Sequence, residues 1–227
     1  MATASRRITR KQLRQPDWLH TTTEQALEFY EGNRVVVLTG AVVLILLMLG
    51  VWALQAFKQS QDNQAVQEFS RAINLYQTEK YREAVAAFQK AGAYRWSHYA
   101  LLAHLYEANS YLAINDSDKA ITAAERFIAG TSSDSLYRQM GLLALASAEE
   151  QKNQCKQAVE HYSQAAMIKA AFRERAIMGK GRCSEQIGDT KGALAAYKEY
   201  LQDNPDSPLA IRVAELEAKA GGQAVAK

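Results

Sequence analysis

The longest apolar stretch of the sequence, residues 35–57, contains 23 residues and no charged side chain. A helix rises about 1.5 Å per residue and the hydrocarbon core of a bilayer is about 30 Å thick, so about 20 apolar residues can cross it. The stretch is too long and too far from residue 1 for a secretory signal peptide. It predicts one transmembrane helix, and the alternative is a buried helix of a soluble core.

After residue 58 the apolar positions follow a helical period, and a pair of helices separated by a polar turn occurs four times. The second helix of each pair contains a small residue followed by an aromatic or small one, and these small residues are 36, 38 and 35 positions apart: Ala84, Ala120, Ala158 and Ala193. The first helix of each pair has its own central small residue: Ala72, Ala108, Ala146 and Gly181. The turns are predicted at residues 79–80, 115–116, 153–154 and 188–189, and the last three contain Asn, Asp or Gly, which tolerate left-handed or side-chain-bonded backbone.

This repeat resembles the tetratricopeptide repeat (TPR), a helix pair of about 34 residues with small and aromatic signature positions. The fourth segment carries the signature best, with Gly181, Ala193, Tyr197 and the stop at 204–205, whereas the second has Ala124 where the family prefers an aromatic. The pattern predicts an all-α fold, an α-solenoid of about four TPR-like pairs closed by a capping helix at 207–219. The alternative is an irregular helical bundle.

In a TPR array the first helix of each pair lines a concave groove that binds protein. The register of the small residues predicts a lining made of Phe69, Ile73, Tyr76, Leu102, Leu105, Leu112, Met140, Leu143, Arg175, Met178 and Arg182. Apolar, Met-rich grooves accept helices or extended apolar segments. If the predicted helical register is wrong by one residue, these side chains pack in the hydrophobic core instead of lining a groove. The run between the first two pairs is either an exposed aromatic contact patch or local packing, and it contains Tyr94, Trp96 and Tyr99.

Charge distribution predicts the sidedness of the chain. Six Lys and Arg residues precede residue 35, whereas Lys58 is alone until Arg71. By the positive-inside rule the N-terminus is cytoplasmic and residues 58–227 are translocated. We expect a cytoplasmic basic tail with a short juxtamembrane helix at 1–34, the transmembrane helix at 35–57, the repeat domain at 58–219 and a disordered tail at 220–227. The translocated part has a net charge of only +1, without the clustered excess that nucleic-acid binding needs.

The two cysteines suit a structural rather than a catalytic role. Antiparallel stacking brings the start of one pair's second helix near the end of the next pair's first helix, where Cys155 and Cys183 lie. A disulfide is therefore plausible if their Cα atoms are within about 7 Å, and the alternative is two buried thiols. The four histidines lack metal-ligand spacing, and no phosphate-binding loop or nucleophile motif occurs. We expect no enzymatic activity, no cofactor and no metal.

Residues 1–205 are predicted to form a basic tail, one anchor and a translocated TPR array. This layout resembles the bacterial single-anchor TPR family of ancillary SecYEG translocon subunits. The resemblance implies an inner-membrane protein with a periplasmic domain that holds emerging or unfolded envelope proteins, or docks a periplasmic chaperone beside the translocon. The alternative is a structural subunit of one fixed envelope assembly, such as outer-membrane biogenesis, cell division or cytochrome maturation.

Overall fold

The computed structural model describes residues 27–225, with side chains described up to residue 220. The predicted basic cluster of the tail lies outside these residues, as does the start of the juxtamembrane helix, although residues 27–32 are helical. The described residues contain no strand, which confirms the all-α prediction. The helices that follow are α1 Arg34–Gln77, α2 Tyr81–Gly92, α3 His98–Ala113, α4 Ser117–Ala129, α5 Leu136–Gln151, α6 Cys155–Met167, α7 Arg173–Gln186, α8 Thr190–Asp203 and α9 Leu209–Val225.

The chain divides into two units, Met1–Phe57 and Lys58–Lys227. In the first unit the apolar side chains of α1 are exposed, with Met48 70% and Trp52 69% accessible. The apolar window of this helix has a mean hydropathy of 2.8, and none of it is buried. By length and composition, α1 is long and apolar enough to cross a membrane.

The second unit is the helical repeat domain. Its pairs consist of the end of α1 with α2, α3 with α4, α5 with α6, and α7 with α8. The predicted central small residues are all buried, the alanines being at most 1% exposed. Because they carry little or no side chain, the aromatic residue of the second helix can lie against the first helix. At Gly181 an added Cβ would overlap the ring of Tyr197, so this approach requires glycine.

The turns inside the pairs lie where the sequence predicts them. Glu79, Asn115, Asn153 and Gly188 have φ values of 60°, 59°, 61° and 78°. The next residue's N–H then donates back to a carbonyl in the helix that ends there, for example Lys80 N to Leu75 O at 2.9 Å and Asp116 N to Tyr111 O at 2.9 Å. These bonds satisfy carbonyls that a helix end leaves unpaired, and they reverse the chain tightly.

The capping helix α9 closes the array. Val213 and Leu216 are 7% and 4% exposed and pack against Ala193 and Tyr197 of α8. The helix begins at Leu209 and continues to Val225, beyond the predicted end at residue 219. Residues 226–227 of the predicted tail lie outside the described part of the chain.

Candidate protein-binding groove

A cavity of about 120 Å³ lies among the first helices of the second, third and fourth pairs. It lies between α3, α5 and the start of α7, and it is lined by Asn109, Leu112, Met140, Leu143, Ala144, Ser147, Phe172 and Arg175. Leu112, Met140, Leu143 and Arg175 belong to the predicted groove lining. The cavity therefore brings together predicted residues from three successive repeats.

The remaining predicted groove residues have other surroundings. Leu105 is 2% exposed and lies in the core between α3, α4 and α5, so it offers no surface to a partner. Phe69, Ile73 and Tyr76 are half-buried and pack on the core of the first pair. Leu102 is half-buried against the neighbouring core, and Met178 is half-buried on α7. For the first pair and for Leu105, core packing describes the side chains better than groove lining does.

The aromatic packing of the first pair explains this difference. The rings of Phe69 and Tyr76 lie 5.7 Å and 5.6 Å from that of Tyr106 on α3, and Phe88 stacks on Tyr106 at 5.4 Å. Edge-to-face contacts at these distances stabilise such clusters. Aromatic side chains of the first pair thus fill the N-terminal end of the predicted groove with one another.

Four lining residues were not predicted from the sequence, and one of them, Ala144, directly follows Leu143 on α5. Asn109 precedes Leu112 by three residues and Ser147 follows Leu143 by four, so helical spacing alone places both on the lining face. Phe172 lies in the connection before α7, where no helical period applies. Only its position in the folded connection brings it to the cavity.

The connection that carries Phe172 is held by Gln139, a fully buried residue of α5. Its Nε2 donates to Ala165 O at 3.1 Å and to Ile168 O at 2.8 Å, and its Oε1 accepts from Phe172 N at 2.9 Å. Ala165 O and Ile168 O also accept the backbone N–H groups of Ile168 and Ala170, whereas the Phe172 N–H has its acceptor in Gln139, and leaving such a donor unpaired is costly. Gln139 therefore fixes one wall of the cavity.

The charge in the groove comes from Arg175. Its side chain is exposed, and it makes no ion pair with the described residues, whereas Arg182 pairs with Glu150 and Arg173 with Glu199. Burial raises the pKa of the Tyr76 hydroxyl, and the positive charge of Arg175 opposes this rise. The Asn109 amide, the Ser147 hydroxyl and the Arg175 guanidinium line an otherwise apolar cavity. Such a cavity suits a ligand that has an apolar side chain next to a carboxylate or a backbone carbonyl.

The predicted aromatic patch divides into packed and exposed parts. Tyr99 packs against Phe69, with ring centres 5.5 Å apart, and Tyr94 is half-buried. Trp96 is 62% exposed, and the Lys58 Nζ lies 5.3 Å from its ring centre. Local packing therefore describes Tyr99, whereas a contact patch stays a prediction for the exposed Trp96.

Cys155 and Cys183 meet at the junction of the third and fourth pairs. The structure joins them as a disulfide between α6 and α7, with Cα atoms 4.9 Å apart. Both side chains are at most 1% exposed. Within residues 27–225, no cluster of His, Cys, Asp and Glu is arranged to hold a metal ion.

Comparisons with known proteins agree with the helical repeat. Residues 28–218 match a family described as tetratricopeptide repeat-like domain. The fold is similar to a Podosopora anserina putative kinesin light chain with nearly identical TPR-like repeats (TM-score 0.57, 18% identity, 71% of this chain and 89% of that one). It is also similar to MamA from residue 41 to its end, from Desulfovibrio magneticus RS-1 (TM-score 0.54, 19% identity, 63% and 78%). No curated protein sequence matches significantly.

Proposed function

Since the chain belongs to the tetratricopeptide repeat-like domain family, we propose that it is a non-enzymatic protein-binding scaffold or chaperone adaptor tethered to a bacterial inner membrane. The observation that carries the proposal is the cavity at Met140, built by the first helices of three repeats. A surface formed by several successive repeats suits an extended protein segment better than a small substrate.

The tether is the apolar part of α1. Its exposed apolar side chains need a nonpolar environment, because a large apolar surface in water is unfavourable. A helix satisfies its own backbone hydrogen bonds and can therefore cross lipid. The basic residues before position 35 favour a cytoplasmic N-terminus, which leaves the repeat domain on the periplasmic face.

The disulfide between Cys155 and Cys183 supports the same side of the membrane. Disulfides persist in oxidising compartments such as the bacterial periplasm and are rare in the cytosol. On this face the groove lies beside proteins that leave the membrane. The partner is then an emerging or unfolded envelope protein, or a periplasmic chaperone docked near the translocon.

Photocrosslinking from the cavity tests the proposal. Met140 or Leu112 is replaced with p-benzoylphenylalanine in the full chain, and the exposed Gln164 of α6 is the matched control site. We expect adducts from the two cavity sites and not from Gln164. Adducts with many envelope proteins favour the chaperone role, and one discrete adduct favours the alternative of a fixed envelope assembly. Adducts from Gln164 alone would contradict a binding groove.

The sidedness has its own test. Alkaline phosphatase is active only where its disulfides form, so a fusion after Lys227 should be active, and a fluorescent reporter that folds only in the cytoplasm should be dark. The opposite pair of results would place the repeat domain in the cytoplasm and exclude both roles.

A further inference from the structure

An exposed indole lies beside the first charged residue that follows the apolar part of α1. Trp96 is in the turn between α2 and α3 and is 62% exposed, and the Lys58 ammonium lies 5.3 Å from the centre of its ring. At this distance a cation is attracted to the face of an indole. Neither residue lines the cavity at Met140, so the proposed groove does not account for this pair.

Other contacts hold the Trp96 turn against the same stretch of α1. The Ser97 hydroxyl donates to Asp62 Oδ1 at 2.5 Å and accepts the Tyr99 N–H at 3.1 Å, which caps α3. Ser97 is only 7% exposed. The ring of Tyr99 packs on Phe69. The position of Trp96 near Lys58 therefore does not depend on the cation–π contact alone.

The covalent chain relates this pair to the proposed bilayer. Lys58 directly follows Phe57, the last residue of the apolar stretch. An ammonium group is costly in hydrocarbon and remains at the level of the headgroups. The Trp96 ring centre lies 5.3 Å from this ammonium, and the headgroup layer is roughly 5 to 7 Å thick on each side, so the ring is within reach of the headgroups that surround Lys58.

We infer that Trp96 and Lys58 form a lipid-headgroup contact that holds the first repeat against the outer surface of the membrane that α1 spans. The inference rests on the proposed membrane span. Its chemistry fits both residues: an indole has an apolar face and one N–H donor and is enriched at membrane interfaces, and Lys58 and the neighbouring exposed Arg95 supply cations for lipid phosphates.

The alternative to lipid is a protein partner that covers the exposed Trp96. Lipid and protein differ in what their binding requires. A lipid contact forms in any vesicle of suitable composition, without another protein. The position of Lys58 one residue after the apolar stretch favours lipid, because this position brings the pair to the headgroups before any partner binds.

Fluorescence quenching in vesicles tests the inference. The sequence has tryptophans only at 18, 52 and 96, so the W18F/W52F variant reports on Trp96 and the W18F/W96F variant reports on Trp52. Each full-length variant is reconstituted into phosphatidylcholine–phosphatidylglycerol vesicles with or without a nitroxide on the headgroup or deep on the acyl chain. Acrylamide quenching is measured in parallel, in vesicles and in detergent.

We expect the headgroup nitroxide to quench Trp96 at least twofold more than the deep nitroxide, and reconstitution to lower its acrylamide quenching about twofold. Trp96 that is insensitive to both lipid labels and equally open to acrylamide in vesicles and detergent would overturn the inference. Quenching of Trp52 distinguishes a failure of the headgroup contact from a failure of the membrane span. If lipid labels quench Trp52 and not Trp96, only the headgroup contact fails, and if they quench neither, the membrane span fails.

Discussion

Arg182 and Glu150 form a doubly hydrogen-bonded ion pair between the third and fourth repeats. The Arg182 Nε and Nη2 each lie 3.0 Å from one oxygen of the Glu150 carboxylate, and Tyr162 donates its hydroxyl to the same carboxylate at 2.6 Å. Burial favours the neutral acid, but the bonds from Arg182 and Tyr162 lower the pKa of Glu150. Burial and the nearby carboxylate raise the pKa of Tyr162 to about 12.

A similar arrangement occurs at the next junction. Glu185 accepts from the Tyr197 hydroxyl at 3.3 Å and also binds Arg212 of the capping helix. In both cases a glutamate on the first helix of a pair accepts a hydrogen bond from the tyrosine of the same pair. The same glutamate binds an arginine of a helix that follows the pair. These bonds join consecutive elements of the array, whose stability depends on nearest-neighbour interfaces.

Replacing Arg182 with alanine should lower the free energy of unfolding by about 1 kcal/mol, because a half-exposed ion pair is screened by water. The loss should be smaller at high salt. Urea unfolding of the full chain in detergent, followed by circular dichroism, measures it. The exposed Lys156→Ala on α6 is the control and should change little. Equal losses for both variants would show that the pair does not stabilise the junction.

Gly181→Ala should destabilise the fourth pair, because the new methyl group overlaps the buried ring of Tyr197. Overpacking costs about 1 to 3 kcal/mol, and the better helix propensity of alanine returns about 1 kcal/mol. Unfolding of the single variants and of G181A/Y197L measures the coupling between the two sites. The penalty should shrink or change sign when leucine replaces the ring. An unchanged penalty in the Y197L background would place its cause elsewhere.

Most of the fold could be predicted from the sequence because its determinants are local. Ala72 and Ala84, for example, are fully buried in the core of the first pair, where only small side chains fit, and Asn115 lies at a turn that needs left-handed backbone. These preferences recur in every pair, so each repeat supports the register of the others. The helix bounds were less predictable, since α9 continues to Val225 without a stop residue at 219.

The groove could be predicted only in part, because positions on the same apolar face of a first helix differ in what covers them. Leu105 and Leu112 lie seven residues apart on α3, yet Leu105 is in the core and Leu112 lines the cavity. Which of them is covered depends on the packing of α4 and α5. Phe172 was not predicted because its position depends on the side-chain bonds of Gln139, which no periodic pattern records.

Removing the disulfide with C155A/C183A should lower the free energy of unfolding by about 3 kcal/mol, because the bond closes a loop in the unfolded chain. The two cysteines are 28 residues apart. Dithiothreitol should produce a comparable loss in the wild type and none in the double variant. A peptide map of the non-reduced protein that lacks the Cys155–Cys183 cross-link would refute the bond.

The stability contributed by His161 should depend on pH. The hydrogen bond with Glu149, at 2.8 Å, raises the pKa of His161, burial opposes this, and the charges of Glu149, Glu160 and Glu125 add to the rise. Since the folded-state pKa is raised, the contribution is fully present below the unfolded-state value of about 6.5 and is lost as the pH rises through the folded-state value.

His161→Asn should therefore cost more stability at pH 5.5 than at pH 9, by on the order of 1 kcal/mol. Urea unfolding at the two pH values measures the difference. Glu149→Gln supplies the control background, because without the carboxylate the pH-dependent part of the cost should disappear. A larger cost at pH 9 than at pH 5.5 would contradict the assigned partner.

The central claim is that a partner protein binds at the cavity between the first helices, and quantitative co-purification in mild detergent tests it most directly. The wild type is compared with Met140→Glu in the cavity and with Gln164→Glu on the exposed face of α6, after circular dichroism shows equal unfolding midpoints. We predict that wild type and Q164E recover the same partner, and that M140E recovers at least tenfold less, about 1.4 kcal/mol of binding free energy. Equal recovery by a folded M140E variant would contradict the claim.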